Sequence, residues 1–138
     1  MFRTLDQNLF VAGQIAPDDL GAAKALGVTT VINNRPDGEE PGQPTGAQIE
    51  AAARAAGLDY HAIPVGHGGM GPMQVTAMND ALAGATGGVL AFCRSGTRST
   101  YLWALARAVA GDDPAALAGK AAAAGYDLSP LGLSRTRG

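Results

Sequence analysis

Gly87-Gly88-Val89-Leu90-Ala91-Phe92-Cys93-Arg94-Ser95-Gly96-Thr97-Arg98-Ser99-Thr100-Tyr101-Leu102 decides how this chain is read. Val89, Leu90, Ala91 and Phe92 form an unbroken apolar run, the pattern of a buried strand, while Leu102, Leu105, Ala106 and Val109 repeat at the spacing of one helix face. Cys93, the only cysteine, therefore falls on a strand-to-helix turn. At such a turn the N–H groups of the first helical turn have no partner within the helix, and the helix dipole favours an anion. Arg94 and Arg98 add positive charge, which promotes a thiolate, and Gly96 admits backbone angles that a Cβ resists. The plainer reading is a buried structural cysteine before a helix cap. Two arginines and a glycine in the five residues that follow favour a nucleophilic thiolate instead.

Outward from this stretch, strand and helix patterns alternate. Residues 2–5 and 9–12 flank Asp6-Gln7-Asn8, a turn-forming trio, and predict a small hairpin ended by Gly13. Pro17 opens a helix carrying Leu20, Ala23 and Leu26, and Gly27 stops it. Val28-Thr29-Thr30-Val31-Ile32 reads as a central strand, followed by a polar loop over residues 33–40. Thr45 is the expected N-cap of a helix with Ile49, Ala52, Ala53 and Ala56 on one face. A third strand is expected over about residues 60–65, then a glycine-rich loop to Pro72 and a helix with Val75, Met78 and Leu82. Asp113 is placed to cap a last short helix, and a polar tail carries Arg135 and Arg137.

This order predicts one α/β domain over residues 1–138, with a mostly parallel sheet flanked by helices. In such sheets the loops leaving the carboxyl ends of the strands share one edge. Gln14, residues 33–40, residues 66–71 and residues 93–98 would then surround one pocket.

Composition narrows the function classes. Apolar residues at 46% with only 16% charged fit a compact domain, and a net charge of −2 gives no general attraction to nucleic acid or an anionic membrane. A lone cysteine has no internal disulfide partner, which suits a reducing cytoplasm, the expected location. Asp6, Gln7 and Asn8 make the start a poor signal peptide, so the mature chain is expected to begin near Met1. His61 and His67 at spacings unrelated to Cys93 make no zinc pattern, and residues 66–71 lack a nucleotide P-loop's spacing. No metal or cofactor is expected.

Several segments resemble a bacterial family, the beta-lactamase-hydrolase-like, phosphatase-like domain known as DUF442. They are Ala12-Gly13-Gln14, Ile32-Asn33-Asn34-Arg35-Pro36-Asp37-Gly38-Glu39, Ile63-Pro64-Val65, Cys93-Arg94-Ser95-Gly96-Thr97-Arg98-Ser99, Leu102-Trp103 and Gly125-Tyr126-Asp127-Leu128, spread over residues 9–128. The resemblance implies a fold similar to dual-specificity phosphatases, with four or five strands and the cysteine loop at the centre. It also implies association with a persulfide-oxidising metallo-hydrolase, and hence with sulfide detoxification.

Those phosphatases carry Cys-x5-Arg, whereas the arginine in register here is Arg98, giving Cys-x4-Arg. This spacing is similar to that of single-domain rhodaneses. A shorter cradle has one N–H donor fewer and a narrower ring, which suits one sulfur better than three phosphoryl oxygens. A cysteine phosphatase also needs an acid for its leaving group, and between Asp59 and Cys93 the only carboxyl is Asp80, within a predicted helix.

The leading expectation is therefore a cytoplasmic sulfurtransferase that moves sulfane sulfur from thiosulfate or a persulfide through a Cys93 persulfide. Its partners would be a small anionic sulfur donor and a thiol or sulfite acceptor. Cys93 and Arg98 are the catalytic candidates, and Arg94, Ser95, Gly96, Thr97 and Ser99 the anion-binding ones. Arg35 would either help hold the donor or pair with Glu39 or Glu40, while Asn33 and Asn34 would brace the loop. The alternative is a cysteine-dependent phosphatase with a Cys93 phosphoenzyme, its acid supplied by Asp37 or His67. A third reading is a non-catalytic module that binds an anion or a protein through the same loop. Asp37 also reads as a turn residue, His61 as a strand-edge residue and Trp103 as core.

Overall fold

The computed structural model describes residues 2–66 and 68–133. Strands β1 (Arg3–Asp6) and β2 (Leu9–Ala12) form the expected hairpin, turned by Asn8 in the left-handed region at φ 60°. A single 3-10 turn at Pro17–Asp19 leads into α1 (Leu20–Ala25), then β3 (Val28–Asn33). Helix α2 (Gly46–Ala55) precedes β4 (Asp59–Ala62), and α3 (Pro72–Gly84) precedes β5 (Gly88–Phe92). Helices α4 (Thr97–Val109) and α5 (Pro114–Ala123) complete the domain.

The five strands lie in the order β1-β2-β5-β3-β4, and every neighbouring pair except β1 with β2 is parallel. The cysteine strand is thus in the middle of the sheet, which explains why it is apolar throughout. Its side chains alternate between faces. Val89 and Ala91 pack into the cluster containing Met78 of α3 and Leu102, Trp103 and Ala106 of α4. Leu90 and Phe92 pack on the other side with Leu20, Ala23, Ile49 and Ala53 of α1 and α2.

Two sequence expectations shift. The third strand ends at Ala62 rather than near Val65, because Pro64 has no N–H for the ladder. The N–H groups of Ile63 and Val65 still donate to Asn33 and Asn34 carbonyls, each at 2.9 Å, so the chain keeps its course. Val109 is 74% exposed although its spacing puts it on the buried face; the buried stripe ends one turn earlier, at Ala106, and Val109 closes the helix. Thr45 does cap α2, its Oγ1 accepting from Gln48 N at 3.1 Å, and the Gln48 side chain accepts in return from Thr45 N. Arg135 and Arg137 lie outside the described residues.

Candidate active site

Register brings the carboxyl ends of the parallel strands level: Ala12 and Asn33 both sit opposite Phe92, and Asn33 also opposite Ala62. Cys93 leaves β5 at this edge, its N–H on the Ala12 carbonyl at 3.3 Å, and α4 begins at Thr97. Gly96, at φ 90°, makes the turn and donates its N–H to Cys93 Sγ at 3.1 Å. Thr100 anchors the same glycine from one turn along, its N–H and Oγ1 both donating to the Gly96 carbonyl at 3.0 and 2.8 Å. On the hairpin side the chain comes so close that a Cβ on Gly13 would stand 2.9 Å from the Arg94 carbonyl, which instead accepts from Gln14 N at 3.2 Å. The loop is thereby clamped by neighbours on three sides.

Three arginines and two glutamates surround it. Arg98 places both terminal nitrogens on Glu39, at 2.7 and 2.8 Å, and one of them also on the Val65 carbonyl at 2.8 Å. Arg35 donates from Nε to Glu39 at 2.8 Å, from Nη2 to Glu40 at 2.7 Å and from Nη1 to Gln14 Oε1 at 3.1 Å. Arg94 reaches Glu40 at 3.3 Å. The Arg35 side chain is 2% exposed, so the sequence alternatives for it resolve toward pairing with both glutamates, and its anion-binding role is given up because each nitrogen already has a partner. Arg35 braces the site from beneath.

The Arg98 hydrogen bonds, reinforced by Arg35, hold the Glu39 carboxyl down to about 2 despite burial. Glu39 in turn raises Arg98, helped by the adjacent Cys93 sulfur. For Arg35, burial disfavours the charge, yet the hydrogen bonds to Glu39 and Glu40 leave it above its ordinary value. Glu40 is lowered chiefly by Arg35, then Arg94. Because the folded Glu39 lies below its ordinary 4.5, the stability it contributes is fully present above that pH and drains as pH falls toward 2. Glu39→Gln is therefore expected to lower unfolding free energy by about 1 kcal/mol at neutral pH, solvent screening part of the pairing. The gap from wild type should close on acidification, as read by urea unfolding across the acid range.

A cleft of about 650 Å³ opens beside the loop, lined by Pro36, Asp37, Gly38, Glu39, Gly66, Arg94 and Arg98. Asp37 comes from the loop after β3 and turns one carboxylate oxygen to the first N–H of α2, that of Gly46, at 2.7 Å. It is both the turn residue and a wall of the cleft. Among the described residues it makes no ion pair with a guanidinium, unlike Glu39 and Glu40. His67 lies outside the described residues.

The remaining candidates are distributed as follows. Ser95 and Thr97 are joined Oγ to Oγ1 at 3.0 Å on the outer rim. Ser99 is fully buried, and its Oγ has no partner among the described residues. Asn33 and Asn34 do brace the edge: Asn33 Nδ2 donates to the Tyr60 hydroxyl at 3.0 Å and its Oδ1 accepts from Arg35 N at 2.9 Å, while Asn34 Nδ2 donates to the Ile63 carbonyl at 2.9 Å. His61 is exposed on β4 at the sheet's edge, and Trp103 is core. Sequence reasoning missed Thr100 and the double role of Glu39. Thr100, four residues beyond Gly96, carried a legible signal in the back-bonding habit of helical threonine; Glu39 carried none, since nothing local ties it to Arg98.

The profile of the family described as "Beta-lactamase hydrolase-like protein, phosphatase-like domain" matches residues 1–110. The chain belongs to this family. A beta-lactamase hydrolase-like protein of Agrobacterium fabrum is 41% identical over 107 residues, which is 78% of this chain and 25% of that protein. The phosphatase-like domain here thus spans about a quarter of the length of the curated relatives it matches. A candidate phosphatase from Neisseria meningitidis, known from its crystal structure, superposes with TM-score 0.82 at 35% identity, covering 94% of this chain and 92% of that one. Kinase-associated phosphatase shares the fold at 14% identity and TM-score 0.66, covering 86% and 79% of the two chains. The dual-specificity-phosphatase-like α/β architecture expected from sequence is present. No helix among the described residues is long and apolar enough to cross a membrane.

Proposed function

We propose that this phosphatase-like domain hydrolyses phosphate monoesters through a Cys93 phosphoenzyme. The observation that carries the reading is the Cys93–Arg98 loop, with Sγ on the Gly96 amide and Arg98 beside it, opening on a cleft that also contains Asp37. Its kinship with the candidate phosphatase of Neisseria meningitidis supports the same chemistry. Two features of the sequence favour sulfur transfer, the short Cys-x4-Arg loop and the lack of a carboxyl in residues 66–72. Against the second, Asp37 on the loop after β3 lines the same cleft as Arg94 and Arg98, which supports it as the displaced acid.

In the first step Cys93 Sγ attacks phosphorus, an S–P bond forms, and the ester P–O bond breaks. Asp37, the carboxyl not tied to a guanidinium, gives its proton to the departing alkoxide. Arg98 and the loop N–H groups carry the charge of the transferring group, and Glu39 fixes the guanidinium where that charge develops. Water then attacks phosphorus with its proton passing to Asp37, the S–P bond breaks, and the thiolate leaves inorganic phosphate behind.

The test pairs nitrophenyl phosphate hydrolysis with thiosulfate-to-cyanide sulfur transfer on the wild-type protein. Turnover of the phosphate ester is expected. Activity confined to thiosulfate would overturn the proposal in favour of the persulfide reading, whose support is the Cys-x4-Arg spacing. Asp37→Asn should slow an alkyl phosphate about tenfold more than the nitrophenyl ester, whose leaving group needs no proton.

A further inference from the structure

The peptide unit between Ser95 and Gly96 is held from both sides. Its N–H end donates to Cys93 Sγ at 3.1 Å, and its C=O end, the Ser95 carbonyl, accepts from the Tyr126 hydroxyl at 3.1 Å. In a trans peptide these two groups point in opposite directions, so the sulfur and the tyrosine face each other across one plane. Gly96 is the residue that makes this plane vulnerable. At φ 90° with no Cβ, it offers little steric resistance to a peptide flip, which would turn the N–H away from the sulfur and bring the carbonyl toward it.

We propose that Tyr126 is a positioning residue that locks the Ser95–Gly96 peptide in the orientation that stabilises the Cys93 thiolate. Its ring packs so tightly over the glycine that a Cβ on Gly96 would overlap the hydroxyl. The tyrosine is itself tied down from the other end of the chain. Arg3, on edge strand β1, lies 5.5 Å from the ring centroid and donates to the Ala124 carbonyl at 2.8 Å, while Tyr126 N donates to Ala121 at the end of α5. Burial pushes the phenol up, which keeps it protonated as the donor this contact requires. Tyr126 lies beyond residues 1–110 matched by the family profile, so a residue after α5 closes on a loop inside the matched region.

The inference rests on Cys93 reacting as a thiolate and is independent of whether phosphate or sulfur is transferred. Its test needs no turnover. The ultraviolet thiolate band of Cys93 is followed as pH is raised in the full chain and in Tyr126→Phe, each as a difference from the same protein carrying Cys93→Ser. Tyr126→Phe keeps the ring and its packing and removes only the hydroxyl. The ionisation constant that the band reads is expected to fall about three- to fivefold, the worth of one hydrogen bond, with the melting temperature within a degree or two of wild type. An unchanged ionisation constant overturns the proposal. So does a lowered melting temperature with an unchanged ionisation constant, which would assign Tyr126 to packing alone.

Discussion

Cys93→Ser is expected to reduce nitrophenyl phosphate hydrolysis by at least about a thousandfold while leaving the fold intact. The two side chains differ by one atom, and Cys93 is fully buried with its N–H on the Ala12 carbonyl, so the substitution disturbs little packing. What it removes is the sulfur nucleophile, held at the start of α4 on the Gly96 N–H. A serine hydroxyl at the same place stays protonated, and the groups that face residue 93, the Gly96 N–H and the Arg98 guanidinium, are donors that cannot take its proton. The measurement is steady-state hydrolysis beside a circular-dichroism melt. Retention of more than a tenth of wild-type turnover would remove Cys93 from the chemistry.

Arg98→Ala is expected to lower kcat by a factor on the order of a hundred to a thousand, the usual effect of deleting one preorganised donor from an anion site. Arg98→Lys should recover little of this. The guanidinium satisfies both oxygens of Glu39 and the Val65 carbonyl at once, and a single ammonium cannot reproduce that fork. Glu39 remains paired with Arg35 in either variant, so the loop after β3 keeps its anchor and the defect should show in turnover more than in melting temperature. A lysine variant with near wild-type kcat would mean that Arg98 supplies charge alone.

Much of this arrangement was legible in the linear sequence, and for a local reason. The β5 run, the cysteine turn and the start of α4 are contiguous, so period, turn chemistry and helix polarity predict them without knowledge of anything else. Asn33 and Asn34 were legible as braces because they follow a β-branched strand whose end must lie at the ligand edge. Arg35 was not decidable between its alternatives, since a guanidinium beside two glutamates can serve an external or an internal anion, and only its burial selects the internal one. The third strand is shorter than the apolar residues Ile63 and Val65 imply, because Pro64, itself legible in the sequence, cannot donate to the ladder.

By itself the sequence determined a single parallel α/β domain with one cysteine at the positive end of a helix, since both are consequences of near-neighbour patterning. The tertiary structure alone decided which distant groups surround the loop that carries this cysteine. Asp37, 56 positions before the cysteine in the chain, lines one cleft with Arg94 and Arg98 of the cysteine loop because β3 lies beside β5 in the sheet. Tyr126, 33 positions after it (126 − 93), bonds the outer side of its loop because α5 returns the chain past β1. Hydrophobic periodicity specifies elements and their faces, whereas a contact between loops is set by how the sheet orders its strands, which leaves no mark in the local pattern of either loop.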